Sequence, residues 1–406
     1  MRDIALLFCT RSLRLFAFGL VSVILVFFLT GLGFTTTQVG WLLTLTLLGD
    51  AVISLFLTTR ADRWGRRRTL IISGMLMVLA GLAVLMTGNF WLLALAMTIG
   101  VISPAGNEVG PFLAVEQAAL AHIVADKQRT HYVAWYNVAG FGATALGALT
   151  GGTLSGWWQR QGVSTLSSYE WLFWFYAGAG LVLMVLSAQL SRAIEVEVAP
   201  QKFRGLVAQW TGLHESRSMV LRLSALFALD AFAGGFIVQS ILAYWFYLKF
   251  GATNQELGGL FFATNILSGI SALIAVPLAK RLGLVNTMVF THLPSNLLLM
   301  AVPLMPTFPL AVGFLLLRHL ISQMDVPARQ SFVMAVVPAS ERSAANGITA
   351  TVRSLGSGLA PSLAGSMLTV AVLVNSPIYL AGGLKIIYDL ALYRGFRHVR
   401  PPEEKK

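Results

Sequence analysis

Runs of about 20 apolar residues, repeated along nearly the whole chain with short polar breaks, leave this sequence few folds to choose from. A segment of that length just spans the hydrocarbon core of a bilayer, and a helix satisfies its own backbone hydrogen bonds there. About twelve such segments can be read, at 14–31, 39–59, 69–87, 90–116, 131–157, 171–190, 220–246, 255–279, 287–305, 308–326, 344–373 and 377–392. The expected fold class is therefore an all-α membrane protein of about twelve transmembrane helices. Composition agrees. Charged residues make up 11% of the chain, against about 25% in a soluble domain, and mean hydropathy is +0.73. So few charges would leave a water-facing surface largely bare.

The net charge of +12 does not describe a nucleic-acid-binding face, because the basic residues fall in short clusters between the apolar runs. Membrane topology orders them instead. With an even number of spans, all but five of the 29 basic residues fall on the side that holds both termini. The exceptions are Arg160 and Lys249 on the far side, and Arg318, Arg353 and Lys385 within segments. Both termini are thus expected in the cytoplasm, with the protein multi-pass in the inner or plasma membrane. The first apolar run lacks a small-residue cleavage site and is expected to be retained.

The longest polar stretch, 191–219, divides the chain into a first bundle (1–190) and a second (220–394), with a tail at 395–406. The linker is expected to be cytoplasmic, with room for a short surface helix. The halves echo one another. Gly33, Gly40, Arg63 and Gly65 recur 218 residues later as Gly251, Gly258, Arg281 and Gly283. Gln117, Arg129 and Gly152 recur 213 residues later as Gln330, Arg342 and Gly365. Two ordered series with a single change of offset indicate a duplicated, pseudo-symmetric pair of six-helix bundles.

The loop after the second segment reads Arg60-Ala61-Asp62-Arg63-Trp64-Gly65-Arg66-Arg67-Arg68. From Ala61 to Arg67 it resembles the signature loop of the major facilitator superfamily, G-x-L-A-D-R-x-G-R-R. It departs from it at Thr58 and Arg60. The second half keeps a remnant, Ala279-Lys280-Arg281-Leu282-Gly283, and the stretch Asp325-Val326-Pro327-Ala328-Arg329-Gln330, with Pro338 and Glu341-Arg342 beyond it, is similar to the same family. The resemblance implies two bundles that rock to give alternating access. It also implies a gating role for Asp62, Arg63, Gly65, Arg66, Arg67, Glu116 and Arg342. In that role Asp62 meets the N-terminal end of a helix from the other half, and Arg66 and Arg67 hold the carboxylate of Glu116. The glycine-rich pattern of antiporters, G-x-x-x-G-P-x-x-G-G, is matched in part from Ala143 to Gly152, without its first glycine and its proline. Close helix packing through small residues is the stronger account of that stretch, and its likeness to the antiporter pattern only suggests export. The P-E-S-P-R pattern of sugar porters is absent after the sixth segment, where the chain reads Ser191-Arg192-Ala193-Ile194-Glu195.

Ionisable groups inside spanning helices are costly and point to function by default. Asp50, Glu108, Asp230, Arg318 and Arg353 form the candidate substrate and proton site. Buried carboxylates take up protons readily because desolvation disfavours their charge, and the two arginines suit an anionic substrate or balance those carboxylates. Glu108 lies in Pro104-Ala105-Gly106-Asn107-Glu108 ahead of Gly110-Pro111, where the fourth segment is expected to bend and free backbone groups. Lys385 and Asp389, four apart, are expected to pair locally, and Asp325 to act in gating.

The function expected is secondary active transport of a small molecule, proton-coupled and in the efflux direction. Proton-coupled import or uniport is the alternative, and a non-transporting receptor or scaffold of the same fold the alternative of another class. No phosphate-binding G-x-x-x-x-G-K-[ST] loop occurs. Cys9 is the one cysteine, and the six histidines are scattered. No cofactor, metal, nucleic acid or enzymatic activity is expected; the partners are the substrate, H+ and the lipid bilayer, and the chain is expected to be a monomer.

Overall fold

The computed structural model describes residues 1–108, 110–195, 216–338 and 341–399. Among these the regular structure is helical. The first half holds α1 (Arg2–Gly31), α2 (Thr36–Trp64), α3 (Arg66–Met86), the broken pair α4 (Phe90–Ile99) and α5 (Phe112–Ile123), α6 (Asp126–Arg160) and α7 (Thr165–Ala188). The second half holds the broken pair α8 (Arg217–Gly235) and α9 (Gln239–Phe250), α10 (Asn254–Leu282) and α11 (Leu284–Ala301). It continues with the broken pair α12 (Phe308–Ser322) and α13 (Asp325–Val336), then α14 (Arg342–Leu368) and α15 (Ser376–Phe396). Each sequence segment therefore corresponds to one helix or one broken pair. The expected surface helix of the linker, and Lys202, Arg204, Arg400, Lys405 and Lys406, lie outside the described residues.

Among the described residues eight helical runs are long and apolar enough to cross a membrane. Their outward faces are greasy. Met75, Leu79 and Met86 on α3 and Leu181, Val182 and Val185 on α7 are exposed, which suits lipid and not water.

Turn geometry supports the repeat. Gly33 and its counterpart Gly251 sit at positive φ, +93° and +66°, and Gly65 and its counterpart Gly283 at +95° and +85°. These values fall in the region that side-chain-bearing residues avoid. Each of the latter two immediately precedes the helix that follows it, α3 or α11.

Two compact units are distinguished. The first joins Met1–Pro200, Val238–Ile266 and Pro361–Ala371. Its axis is α1, with Phe18, Val23, Ile24, Leu25 and Leu29 buried. Glycines let neighbouring helices reach it. A Cβ on Gly147 of α6 would stand 2.0 Å from the Phe16 carbonyl oxygen, and one on Gly19 of α1 2.2 Å from the Thr144 oxygen. In the same unit Gly40 of α2 lies against Gly365 of α14, and Gly152 of α6 against Gly258 of α10. Because Gly40 repeats as Gly258 and Gly152 as Gly365, the two contacts are one contact made twice. The second unit joins Gln201–Ile237, Leu267–Ala360 and Val372–Lys406. Leu223, Phe227, Met288, Phe332, Tyr388 and Leu392 form its core.

Candidate functional site

The fourth segment breaks where sequence analysis places the bend. Between α4 and α5, Gly106 and Gly110 take positive φ, +69° and +79°. The interrupted helix leaves backbone groups that must find partners, and they do. The carbonyl of Pro104 accepts from the Ser240 N–H at 3.0 Å, that of Gly106 from the Thr144 hydroxyl at 3.2 Å, and that of Val101 from the Tyr176 hydroxyl. The Gly110 N–H donates to Asp50 on α2. Ser54, one turn on, also donates to Asp50, at 3.3 Å. Among the described residues no cation pairs with Asp50.

The break also carries Glu108 into a charge cluster on α1. Arg14, fully buried, donates from Nη2 to Glu108 at 3.1 Å and from Nη2 and Nη1 to Glu116 at 2.7 and 2.8 Å. Arg11 pairs with Glu108 at 3.1 Å. Glu116, on α5 and also fully buried, further accepts from the Tyr136 hydroxyl at 2.5 Å and the Thr10 hydroxyl at 3.0 Å. Two guanidiniums meet two carboxylates, so the cluster is neutral and tightly bonded. Such a set resists dissection because any lone member would be an uncompensated buried charge.

A second cluster occupies the second unit. Asp230 on α8 receives Lys385 of α15 at 2.5 Å and Arg329 of α13 at 3.2 Å. Arg329 also pairs with Asp325 one turn earlier, at 3.2 Å. His292 of α11 stands between two carboxylates, 2.8 Å from Asp389 and 3.8 Å from Asp230, and Asn296 donates to Asp389 at 2.9 Å. The expected local pair of Lys385 and Asp389 is not formed. Each turns to a different neighbouring helix, where a buried charge meets its partner at hydrogen-bonding distance.

Arg318 and Arg353 differ from the other cations. Neither forms an ion pair with a described residue, and the Nε of each is inaccessible and without a hydrogen-bond partner. Arg318 of α12 is 8% exposed. Its Nη1 lies 3.2 Å from Nε2 of His319, whose Nδ1 is 3.0 Å from the Ser268 hydroxyl. A guanidinium has no acceptor, so His319 Nε2 accepts, and the proton sits on Nδ1 facing Ser268.

At the signature loop, Arg66 bonds Asp62 at 2.8 Å and the carbonyls of Ala118 and Ile194 at 3.2 and 3.1 Å. The carboxylate at its core is Glu195, not Glu116. Glu195 accepts from the backbone N–H groups of Arg66 at 2.7 Å and Arg67 at 3.1 Å, capping the N-terminus of α3 from 128 residues away along the chain. Gly65 supplies no cap of its own, and a Cβ there would come within 3.2 Å of the Glu195 carboxylate. Glu116 is unavailable because Arg14 holds it. Asp62 is satisfied by Arg66 one turn on, and Arg342 is exposed at the start of α14. We expect Glu195→Ala to loosen this corner by about 0.5–2 kcal/mol, the usual cost of a lost helix cap. Faster amide exchange at the start of α3 would report it, and unchanged exchange there would refute the capping role.

The comparisons with known proteins follow the same lines. A family model described as Major Facilitator Superfamily matches residues 7–361, and again residues 225–406. The chain belongs to this superfamily. It is 29% identical over 427 residues to an uncharacterized membrane protein of Saccharomyces cerevisiae, YJR124C, covering 96% of this chain and 93% of the yeast protein. The fold is similar to that of the nucleoside transporter NupG, with a TM-score of 0.73 at 15% identity over 98% of this chain and 100% of the other. It is also similar to that of a D-xylose-proton symporter, with a TM-score of 0.73 at 13% identity over 100% and 98%.

Within this facilitator-superfamily chain the duplication extends to the charges, with a change of sign. Glu116 and Arg329 are separated by the 213-residue offset. Glu116 takes cations from α1, and Arg329 takes an anion from α8. Arg11, Arg14 and His292 carry no local sequence signal of a site, and Arg329 only its place in the family-like stretch Asp325–Gln330. The three arginines count toward the cytoplasmic positive charge in a topology reading, yet all three are buried in ion pairs.

Proposed function

We propose that this superfamily member is a proton-coupled secondary transporter that exports a small molecule by alternating access. The two six-helix halves, 1–190 and 220–394, are the moving bodies, in a monomer of the inner or plasma membrane with both termini cytoplasmic. The observation that carries proton coupling is the setting of Asp50. It is a carboxylate in a spanning helix, held by the Gly110 N–H and Ser54 and by no described cation. Asp50 is half-buried, and carboxylates within the membrane that lack a counter-charge serve as proton relays. The hydrogen bond ties the charge state of Asp50 to the broken backbone between α4 and α5, the stretch that also presents Glu108 to Arg11 and Arg14. Protonation at Asp50 would therefore be felt by the α1 cluster. The small-residue run Ala143–Gly152 supports the export direction by its likeness to the antiporter pattern.

Proteoliposomes with a pH-sensitive dye inside, screened against a compound panel, test this. The wild-type protein should give compound-dependent pH changes that Asp50→Asn abolishes while still folding and inserting. Equal proton flux in the two proteins would remove Asp50 from the mechanism, and compound movement without pH change would remove proton coupling.

A further inference from the structure

The charges of the second cluster do not balance. Of the buried carboxylates of the second unit, Asp230, Asp325 and Asp389 lie in this cluster, whereas Glu341 accepts from the N–H and hydroxyl of Ser216. Lys385 and Arg329 are the cations bonded to these aspartates, with His292 in addition, and Arg318 and Arg353 are further arginines of the same unit whose Nε is inaccessible. Asp230 is taken by Lys385 and Arg329, Asp325 by Arg329, and Asp389 by His292 and Asn296. Arg318 and Arg353 are left over. Both belong to the same compact unit as these carboxylates and the Nε of each is inaccessible and unbonded, yet neither bonds to a carboxylate of the cluster. Leaving guanidinium donors buried and unbonded is expensive. Moreover, Arg318 is not free to swing away, because the His319–Ser268 relay holds one of its nitrogens in place. A held, planar fork of donors without an anion is the geometry that receives a carboxylate or phosphate bidentately.

We propose that Arg318 and Arg353 bind an oxyanion group, carboxylate or phosphate, of the transported compound, which makes the cargo a small organic anion. This deepens the transport reading above and rests on it. His319 is a positioning residue here: it orients Arg318 and does not touch the anion. Binding would bring the local charge toward balance, and because Arg329 and Lys385 share Asp230 beside the site, an arriving anion competes with Asp230 for those two cations. Loading would thus loosen the bonds between α8, α13 and α15.

The test uses the purified full-length protein in detergent and follows its melting temperature. The probes are succinate, glucose 6-phosphate and inorganic phosphate, with glucose and tetraethylammonium chloride at matched ionic strength as controls. A saturable rise is expected with at least one oxyanion and with neither control. Succinate against the two phosphates separates carboxylate from phosphate recognition, and glucose 6-phosphate against inorganic phosphate separates an organic cargo from the free ion. Arg318→Gln and Arg353→Gln should weaken half-saturation at least tenfold, while Arg318→Lys should recover part of it. The unliganded Gln variants should melt no lower than wild type, since each sheds a cation without a carboxylate partner; a purely structural arginine would instead lower the melting point.

Equal responses in wild type and Gln variants, or a response to no oxyanion, would overturn the proposal. Its failure is separable from that of the transport reading. Proton flux driven by a neutral or cationic compound keeps the transporter and rejects the anion site. Oxyanion binding with no proton flux keeps the site and rejects the coupling.

Discussion

Replacing Arg14 with glutamine should cost about 3–5 kcal/mol of stability, the loss typical when one partner of a buried ion pair is removed. Arg14 has no exposed surface and is the common partner of Glu108 and Glu116. Glutamine keeps some donors and removes the charge, leaving Glu116 as a buried anion with only the Tyr136 and Thr10 hydroxyls. Most of the protein should then fail to reach a folded, monodisperse state in detergent, or should melt far below wild type. The pair Arg14→Met with Glu116→Leu should recover much of that loss, because two apolar side chains of similar volume remove the desolvation penalty along with the attraction. A single variant that melts like wild type would mean the cluster is far better hydrated than its burial indicates.

The second large effect concerns glycine contacts, and a neighbouring glycine provides the control. Gly147→Val should destabilise by about 1–3 kcal/mol or more, the range for overpacking. Its Cβ alone would lie 2.0 Å from the Phe16 carbonyl oxygen, which is backbone and cannot rotate away. Gly142, on the same helix, has nothing within 4 Å of a built Cβ. There Gly142→Ala should be neutral or stabilising by about 0.5–1 kcal/mol, because alanine gives up less backbone freedom than glycine on entering a helix. Melting curves of the two variants in the same detergent give the comparison. Similar losses at both positions would show that the contact with α1 does not set the sensitivity of α6.

The apolar segments were readable because lipid demands a long, uninterrupted hydrophobic run, and that demand is written residue by residue. The break at Gly106 and Gly110 was readable too, since two prolines and two glycines cannot hold a regular helix. The interruptions after Gly235 and Ser322 were not. Only Gly234-Gly235 marks the first, and Pro327, which lacks the N–H that would bond the carbonyl of Gln323, marks the second. The charge partners were the least readable part. Hydropathy gives a residue's depth only roughly, so Arg11 and Arg14 look like flanking charges although α1 continues through them to Arg2. Spacing on one helix favoured Lys385 with Asp389, but the competing partners came from α8 and α11, whose proximity no local pattern encodes. The same reasoning applies to Arg66 and Arg67. Glu116 lay at a plausible depth, whereas Glu195, just beyond the end of α7, reaches their backbone.

The reversed sign of the duplicated pairs bears on how such a chain sorts its own helices as it inserts. Were α8 to dock where α1 belongs, Asp230 would face Glu116, and α1 in the place of α8 would bring Arg14 to Arg329. Like charges brought together away from water are strongly disfavoured. Two halves with the same spacing of glycines and the same turn geometry would otherwise offer each helix two near-equivalent berths. Opposite charges at these two positions would make either exchange costly, so that the pairing of each half with its own first helix would be favoured where an error would be buried.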